Sequence, residues 1–248
     1  FNCFSPRNFM EENLPKKYRL KFLGKEEIAK NTFSFYFERP KDFVFTAGQN
    51  LRLVFPDVEN GRRTFTIASA PYEKDLKVAM RIRDSEFKKK IISLEKGDFM
   101  EMEGPTGHKF SLHEDKKIPA VFIAGGIGIV PALSIISQTI HDNLKHEIFL
   151  FYSNRKKEDI SFYRELKKMQ EKNPNLKVIF ILTKEMNNHE KFEHKRINES
   201  MIKKYTPNIK GPFYYISGPE GMVFGMNEML KEMKINEEKI MTKKFSGY

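Results

Sequence analysis

The stretch Ile118–Gln138 reads IPAVFIAGGIGIVPALSIISQ. It carries no charged residue from Ile118 to Ile136, and a run of about 20 apolar residues is long enough to span a bilayer. Its interior argues for something else. Gly125, Gly126 and Gly128 stand in the middle and Pro131 follows. Inside a helix, Gly costs about 1 kcal/mol and Pro about 3. The stretch therefore divides into a fully buried strand over Ala120–Ala124, a tight glycine turn over Gly125–Val130, and the first turns of a helix over Pro131–Thr139. Pro sits near the first helical position, where its missing N–H does no harm. Strand, glycine turn and helix start make a phosphate cradle, because backbone N–H groups point at the anion and absent side chains let it approach. A strict G-x-G-x-x-G does not occur, since Gly126-x-Gly128 is followed by Pro131. Taken alone, the stretch suits a nucleotide site and a plain buried strand–turn–helix equally, and the neighbouring sequence has to decide.

Downstream, strands alternate with helices. Glu147–Tyr152, Lys177–Leu182 and Phe213–Ser217 read as strands, with a short last one near Lys239–Phe245. Ser161–Lys172, Asn198–Lys204 and Met222–Met233 read as helices between them. This alternation predicts a doubly wound parallel sheet, whose ligands lie outside the carboxyl ends of the strands. The glycine turn and Ser217-Gly218-Pro219 both fall at such ends.

Upstream, the period is two. Tyr18, Leu20 and Phe22 alternate with basic residues, and after KEEIAKN so do Phe33, Phe35 and Phe37 with Ser34 and Tyr36. These read as two strands and a short connection. Leu51–Phe55, Arg63–Ala68, Leu76–Ile82 and Phe99–Glu103 follow as strands, stopped by Pro56, Pro71 and Gly104-Pro105, with a short helix over Phe87–Leu94. Six short strands at this spacing predict a small antiparallel Greek-key barrel. The expected organisation is an N-terminal extension (residues 1–16), a barrel domain (17–113), a charged linker from His113 to Lys117, and a nucleotide-binding α/β domain (117–248).

Composition narrows the chemistry. With one cysteine, Cys3, among 248 residues, the chain cannot build an internal disulfide, a structural zinc site or a cysteine-held iron–sulfur cluster. The same scarcity, with no visible secretory leader, fits a cytoplasmic setting. The net charge of +11 is spread evenly, with 21 basic and 16 acidic residues up to His113 and 23 and 17 after it. It fits a generally lysine-rich chain or a basic face that steers an acidic partner. Nucleic acid is not expected, for want of zinc-finger spacing or an RNP pattern. The six histidines form pairs five apart rather than four, so no metal site is expected. Met222, Met226, Met229 and Met233 recur at helical spacing and read as a core face.

Arg62-Arg63-Thr64-Phe65-Thr66 is the second signal. Arg63 and Phe65 share one strand face, and Thr66 lies on the other. Such a strand suits a flavin dinucleotide, with Arg63 on the pyrophosphate and Thr66 on a ring nitrogen. Taken alone, it better suits a basic, β-branched strand of a half-buried sheet.

RRTFTIASAP, MRIRDSEFKK, GPTGHKF, AGGIGIVPAL, SGPEGM and the terminal FSGY occur in this order, and together they resemble the ferredoxin–NADP reductase superfamily over about Lys17 to Tyr248. The resemblance implies a flavin barrel followed by a nucleotide domain, and a stand-alone FAD-dependent NAD(P)H oxidoreductase. It implies that Arg63 binds FAD phosphate, that Thr64 belongs to the cofactor-binding strand, that Phe65 lies against the flavin, and that the Thr66 hydroxyl stands near flavin N5. Met80 and Arg81 fall on the next flavin-contacting strand, and Ser85, Phe87 and Lys88 on the pyrophosphate segment. Gly126, Gly128 and Val130 match one nicotinamide-nucleotide loop, and Gly218, Pro219 and Met222 the other. Tyr248 resembles the terminal aromatic that covers the flavin, against the alternative of a loose tail. The family usually has Thr where Val130 stands, Cys where Ser217 stands, and in some members an acidic residue near Lys243 and Lys244. Thr66, Ser217 and Tyr248 are the residues it implies at the reacting centre.

The nucleotide is read from the second parallel strand, which ends Tyr152-Ser153-Asn154-Arg155-Lys156-Lys157. An acid here would hold the ribose 2′-OH of NAD, and a base accommodates the 2′-phosphate of NADP. No acid precedes Glu158, so Ser153 and Arg155 point to NADP(H), the alternative being an arginine that caps the loop. Without cluster ligands, the one-electron acceptor has to be external. A small acidic redox protein such as ferredoxin or flavodoxin is expected, with a small flavin, ferric or quinone acceptor or a subunit role as alternatives.

Overall fold

The structure, a computed structural model, describes residues 15–107, 110–185 and 192–245. Six antiparallel strands come first: β1 (Lys17–Ala29), β2 (Thr32–Phe37), β3 (Asn50–Val54), β4 (Arg62–Thr66), β5 (Leu76–Arg81) and β6 (Phe99–Thr106). Their spatial order is β4-β3-β6-β1-β2-β5. The edges meet where Ile67 bridges Val78 and the Ala68 N–H donates to Lys77 O at 2.7 Å, which closes the barrel. The period-two residues fill it, with Leu20, Phe22, Phe35, Phe37, Leu51, Leu53 and Val78 all in one apolar core. A short helix, α1 (Glu86–Ile92), crosses between β5 and β6.

Two stretches run longer than expected. KEEIA is not a connection but the second half of β1, where Lys25 pairs with Phe35 and Glu27 with Phe33. Its charges simply occupy the outer face of the ribbon, and the reversal shrinks to Lys30-Asn31, with Asn31 at φ 53, a left-handed position that Asn tolerates. Gly104-Pro105 does not end β6 either. The strand continues to Thr106, opposite Asn50, across a register shift between Asn50 and Arg52. A proline lacks only a donor, which a bulge does not demand.

The second sheet is parallel, in the order β10-β9-β8-β7-β11-β12. Its strands are β7 (Ala120–Gly125), β8 (Ile148–Asn154), β9 (Leu176–Leu182), β10 (Glu193–His194), β11 (Phe213–Pro219) and β12 (Ile240–Phe245). Helices α2 (Ile129–His141) and α3 (Tyr163–Lys172) cover one face through Leu133, Ile136 and Leu166 against Phe122 and Leu150. Helices α4 (Glu199–Tyr205) and α5 (Glu220–Glu232) cover the other through Ile202, Val223 and Leu230 against Val121, Ile123 and Phe151. The methionine row of α5 packs against this second core, as its spacing predicts. β10 was not foreseen, because two residues show no periodicity. The chain order reverses between β7 and β11, which opens a crevice at their carboxyl ends.

The opening stretch folds as strand, turn and helix. The turn is a single 3-10 turn over Gly126–Gly128, and α2 starts at Ile129, two residues before Pro131. Proline is thus the third helical residue, still within the turn whose N–H groups have no helical acceptor. No helix of the described residues is long and apolar enough to cross a membrane.

The two sheets are joined through charged and polar contacts. Lys30, in the β1–β2 turn, donates its backbone N–H to Glu158 O (2.9 Å) and pairs with the Glu158 carboxylate (3.0 Å). The His113–Lys117 segment is less a linker than a joint. The His113 N–H donates to the Tyr215 hydroxyl (2.9 Å), and its ring meets the same hydroxyl (3.0 Å) and Ile118 O (2.8 Å).

Candidate functional site

A cleft of about 560 Å³ opens over the carboxyl ends of β7, β8, β9 and β11. Gly125, Gly126 and Ile127 form its floor, with Ser153, Asn154 and Arg155 on one side and Pro219, Gly221 and Met222 on the other. Two glycines are obligatory here. Gly126 has φ 53, a backbone state costly for side-chained residues. A Cβ on Gly128 would lie 2.5 Å from Ser217 O and 2.6 Å from Gly218 Cα. The turn therefore lies directly on β11, and the fully buried Ser217 hydroxyl donates to Gly128 O at 2.7 Å to hold it there.

Arginine dominates the cleft: Arg81, Arg83, Arg155 and Arg196 all line it. Arg81 faces Asp159 at 3.5 Å across the seam between the sheets. Arg83, Arg155 and Arg196 have no carboxylate within ion-pair distance among the described residues. Ser153 and Thr183 add hydroxyls to the same wall. Guanidinium groups left without a counter-ion beside hydroxyls suit the oxygens of a phosphate monoester.

A second set of cations lies on the barrel. Burial first, then the neighbouring Arg83 and Arg63 guanidiniums, hold the Lys88 amine below its ordinary pKa. The two guanidiniums disfavour the charge on the Lys88 amine; a diphosphate would offset that. Local structure gathers them: Ser85 caps α1 by accepting from Lys88 N (3.3 Å), and Phe65 packs on Phe87 (5.7 Å between ring centres). Arg63 and Thr64 are exposed on β4 and Phe65 is half-buried. Met80 and Phe87 point elsewhere, their side chains buried in the barrel core. Arg83 belongs to both cation sets and so stands between the two sites.

Thr66 is 4% exposed, and its hydroxyl bonds to Asn50 Oδ1 at 3.1 Å. The Lys243 amine, arriving from β12, donates to the same Oδ1 at 2.6 Å and to Gly48 O at 2.9 Å. Burial pushes the Lys243 pKa down to about 8. Val130, expected at the nicotinamide, is 1% exposed and packs in the core beneath the turn. Tyr248, with the rest of the terminal FSGY after Phe245, lies outside the described residues.

Residues 122–228 match the family model described as the oxidoreductase NAD-binding domain. One subunit of the Na(+)-translocating NADH-quinone reductase of Methylococcus capsulatus is 28% identical over 187 residues, covering 73% of this chain and 44% of that one. The cytochrome P450 reductase of Amycolatopsis superposes with a TM-score of 0.81 at 23% identity, covering 93% of this chain and 71% of that one. A ferredoxin NADP+ reductase of Neisseria gonorrhoeae, solved with bound FAD and NADP, gives 0.77 at 21% identity, covering 92% and 98%.

The chain has a ferredoxin–NADP reductase-like fold. At these identities the solved structures establish the fold alone, and the chain spans about half the length of the curated relatives it matches. Within this reductase-like fold, the structure brings Arg63, Ser85 and Lys88 to one site, and Gly126, Ser153, Arg155, Pro219 and Met222 to the other. It adds residues that motif reading missed: Arg83, Thr183, Arg196 and the Asn50–Lys243 pair. Arg83 was readable within MRIRDSEFKK. Lys243 was marked by the resemblance only as a departure from an acidic position, and Arg196 carried no local signal, because distant segments fold both into place.

Proposed function

We propose that the protein is an FAD-dependent NAD(P)H oxidoreductase that passes electrons between NADPH and an external one-electron acceptor. The observation that carries this is the pair of cation sets, Arg63/Arg83/Lys88 on the barrel and Arg155/Arg196 in the cleft at the sheet's switch point, joined by Arg83 and without an ion-paired carboxylate among the described residues. The barrel, residues 17–113, would hold FAD, with Arg63 and Lys88 on the pyrophosphate, Phe65 against the ring system and Thr66 at its reactive edge. The α/β domain, residues 117–248, would hold the nicotinamide nucleotide on the Gly126–Gly128 turn and the Gly218–Met222 loop. Bound FAD supplies hydride acceptance and single-electron release. The chain's own contribution is orientation, exclusion of water and fixed charge. Thr66, Ser217 and Tyr248 act as positioning and covering groups, and no side chain is needed as general acid or base for the hydride step. Ser153 and Arg155, joined by Arg196, favour the 2′-phosphate of NADP(H) over the bare ribose of NAD(H).

The acceptor is a small acidic redox protein of the ferredoxin or flavodoxin kind, matched to the net charge of +11. A second reading has its own support. The relatives include a subunit of a larger quinone reductase, of which this chain spans 44%, so the protein would serve as the electron-transfer part of a complex.

Colour tests the central reading. The purified protein is expected to be yellow and to bleach anaerobically with NADPH. A protein that binds no added FAD refutes it. Reduction of an acidic iron–sulfur protein that slows steeply with salt supports the redox-protein partner, whereas rates indifferent to salt favour a small acceptor.

A further inference from the structure

The Asn50 side chain stands between Thr66 and Lys243, and the chemistry of its partners settles which way it faces. A lysine ammonium only donates. The atom 2.6 Å from Lys243 Nζ is therefore the amide oxygen, and the same oxygen lies 3.1 Å from Thr66 Oγ1. Because that oxygen can only accept, the Thr66 hydroxyl has to donate to it. Its proton is then committed, and only its lone pairs remain for a partner on the other side. Lys243 is itself held by Gly48 O at 2.9 Å, so the arrangement is anchored at both ends, with its last member on a strand of the other sheet.

We propose that Lys243 is a positioning residue: through Asn50 it fixes the Thr66 hydroxyl as an acceptor toward the flavin, which favours reduced over oxidised FAD. This rests on the reading that Thr66 lies at flavin N5. Oxidised N5 is an acceptor and would face the Thr66 lone pairs without a hydrogen bond. Reduced N5 carries a hydrogen and would be satisfied by them. Freeing the Thr66 proton lets the hydroxyl donate to oxidised N5, which removes the preference. Where the resemblance implies a carboxylate in some members, this chain has a lysine acting through an amide.

The test is the midpoint potential of bound FAD, with the visible spectrum as a check that FAD is held. One neutral hydrogen bond is worth about 1 kcal/mol, so K243M is expected to shift the oxidised-to-reduced ratio about fivefold toward oxidised, roughly 20 mV more negative for a two-electron couple. N50A keeps the lysine charge but frees the Thr66 proton, and it is expected to give the same shift. K243R, which donates and cannot accept, should keep the wild-type potential, and K244M should do the same. In a T66V background K243M should have no effect. If K243M destabilises the chain too far to hold FAD, N50A alone carries the comparison. FAD bound with an unmoved potential in K243M and N50A overturns the proposal. So does a K243M shift that persists with T66V, since it would come from the lost charge. A wild-type chain that binds no FAD instead refutes the underlying reading, and the inference falls with it.

Discussion

Arg155 shows how much one side chain decides. It follows the last residue of β8, is exposed, lines the cleft and has no carboxylate within ion-pair distance among the described residues. A charge-assisted hydrogen bond contributes about 1.5–3 kcal/mol, so R155A is expected to weaken NADPH binding roughly 10- to 100-fold and NADH hardly at all. Titration of both nucleotides checks this, and an equal loss for the two would return Arg155 to a loop-capping role. Val130 teaches the opposite lesson. As a residue at the nicotinamide it invited a hydroxyl. In the fold it is buried among Ile129, Leu133 and Phe122, where a hydroxyl without a partner costs about 1–3 kcal/mol. V130T is therefore expected to lower the urea midpoint without changing hydride transfer. Unchanged stability with an altered rate would put Val130 at the nicotinamide after all.

At the scale of the element, the glycine turn and α5 make a contrast. A methyl group at Gly128 meets backbone atoms of Ser217 and Gly218, which cannot move aside. G128A should cost about 1–3 kcal/mol and weaken nucleotide binding as well, since the turn is lifted off β11. Gly225, inside α5, has open space within 4 Å of the point where a Cβ would lie. G225A should raise stability by about 0.5–1 kcal/mol through helix propensity. Denaturant unfolding of the two variants measures both signs, and a G128A protein as stable as wild type would show that the turn does not rest on β11. The same elements show what motif reading could reach. Strand, turn and helix were legible at Ile118–Gln138 because glycine and proline interrupt an otherwise uniform apolar run. The extra half of β1 was not, because charged residues on the outer face of a ribbon look like a connection.

At the scale of the molecule, pH acts on the joint between the sheets. Burial holds both His113 and His146 below their ordinary pKa, and for His146 the neighbouring His113 adds to it. His113 stacks on Phe213 at 4.4 Å and His146 Nε2 meets His113 O at 3.1 Å, while Asp115 opposes these shifts and Lys239 and Lys116 reinforce them. As pH falls, the unfolded chain therefore takes up protons on these rings before the folded protein does. Their contribution to stability is full above about pH 6.5, the unfolded value, and is lost as pH falls from there through the folded values. Urea midpoints at about pH 7.5 and pH 5.5 should differ, and H146F should reduce the difference. A slope unchanged in that variant would assign the dependence to other groups.

Period-two apolar runs, then strands alternating with helices, were enough to determine the barrel and the parallel sheet, because hydrophobic burial depends on which faces are apolar and the chain alone states that. The glycine turn and the acid-free end of β8 likewise marked a nucleotide site from local chemistry. Only the tertiary structure decided that Arg196 joins Arg155, that Val130 turns inward, and that Lys243 reaches Asn50 across the two sheets. Those outcomes depend on the direction of single side chains after distant segments have packed, and no local pattern of residues encodes a direction in space.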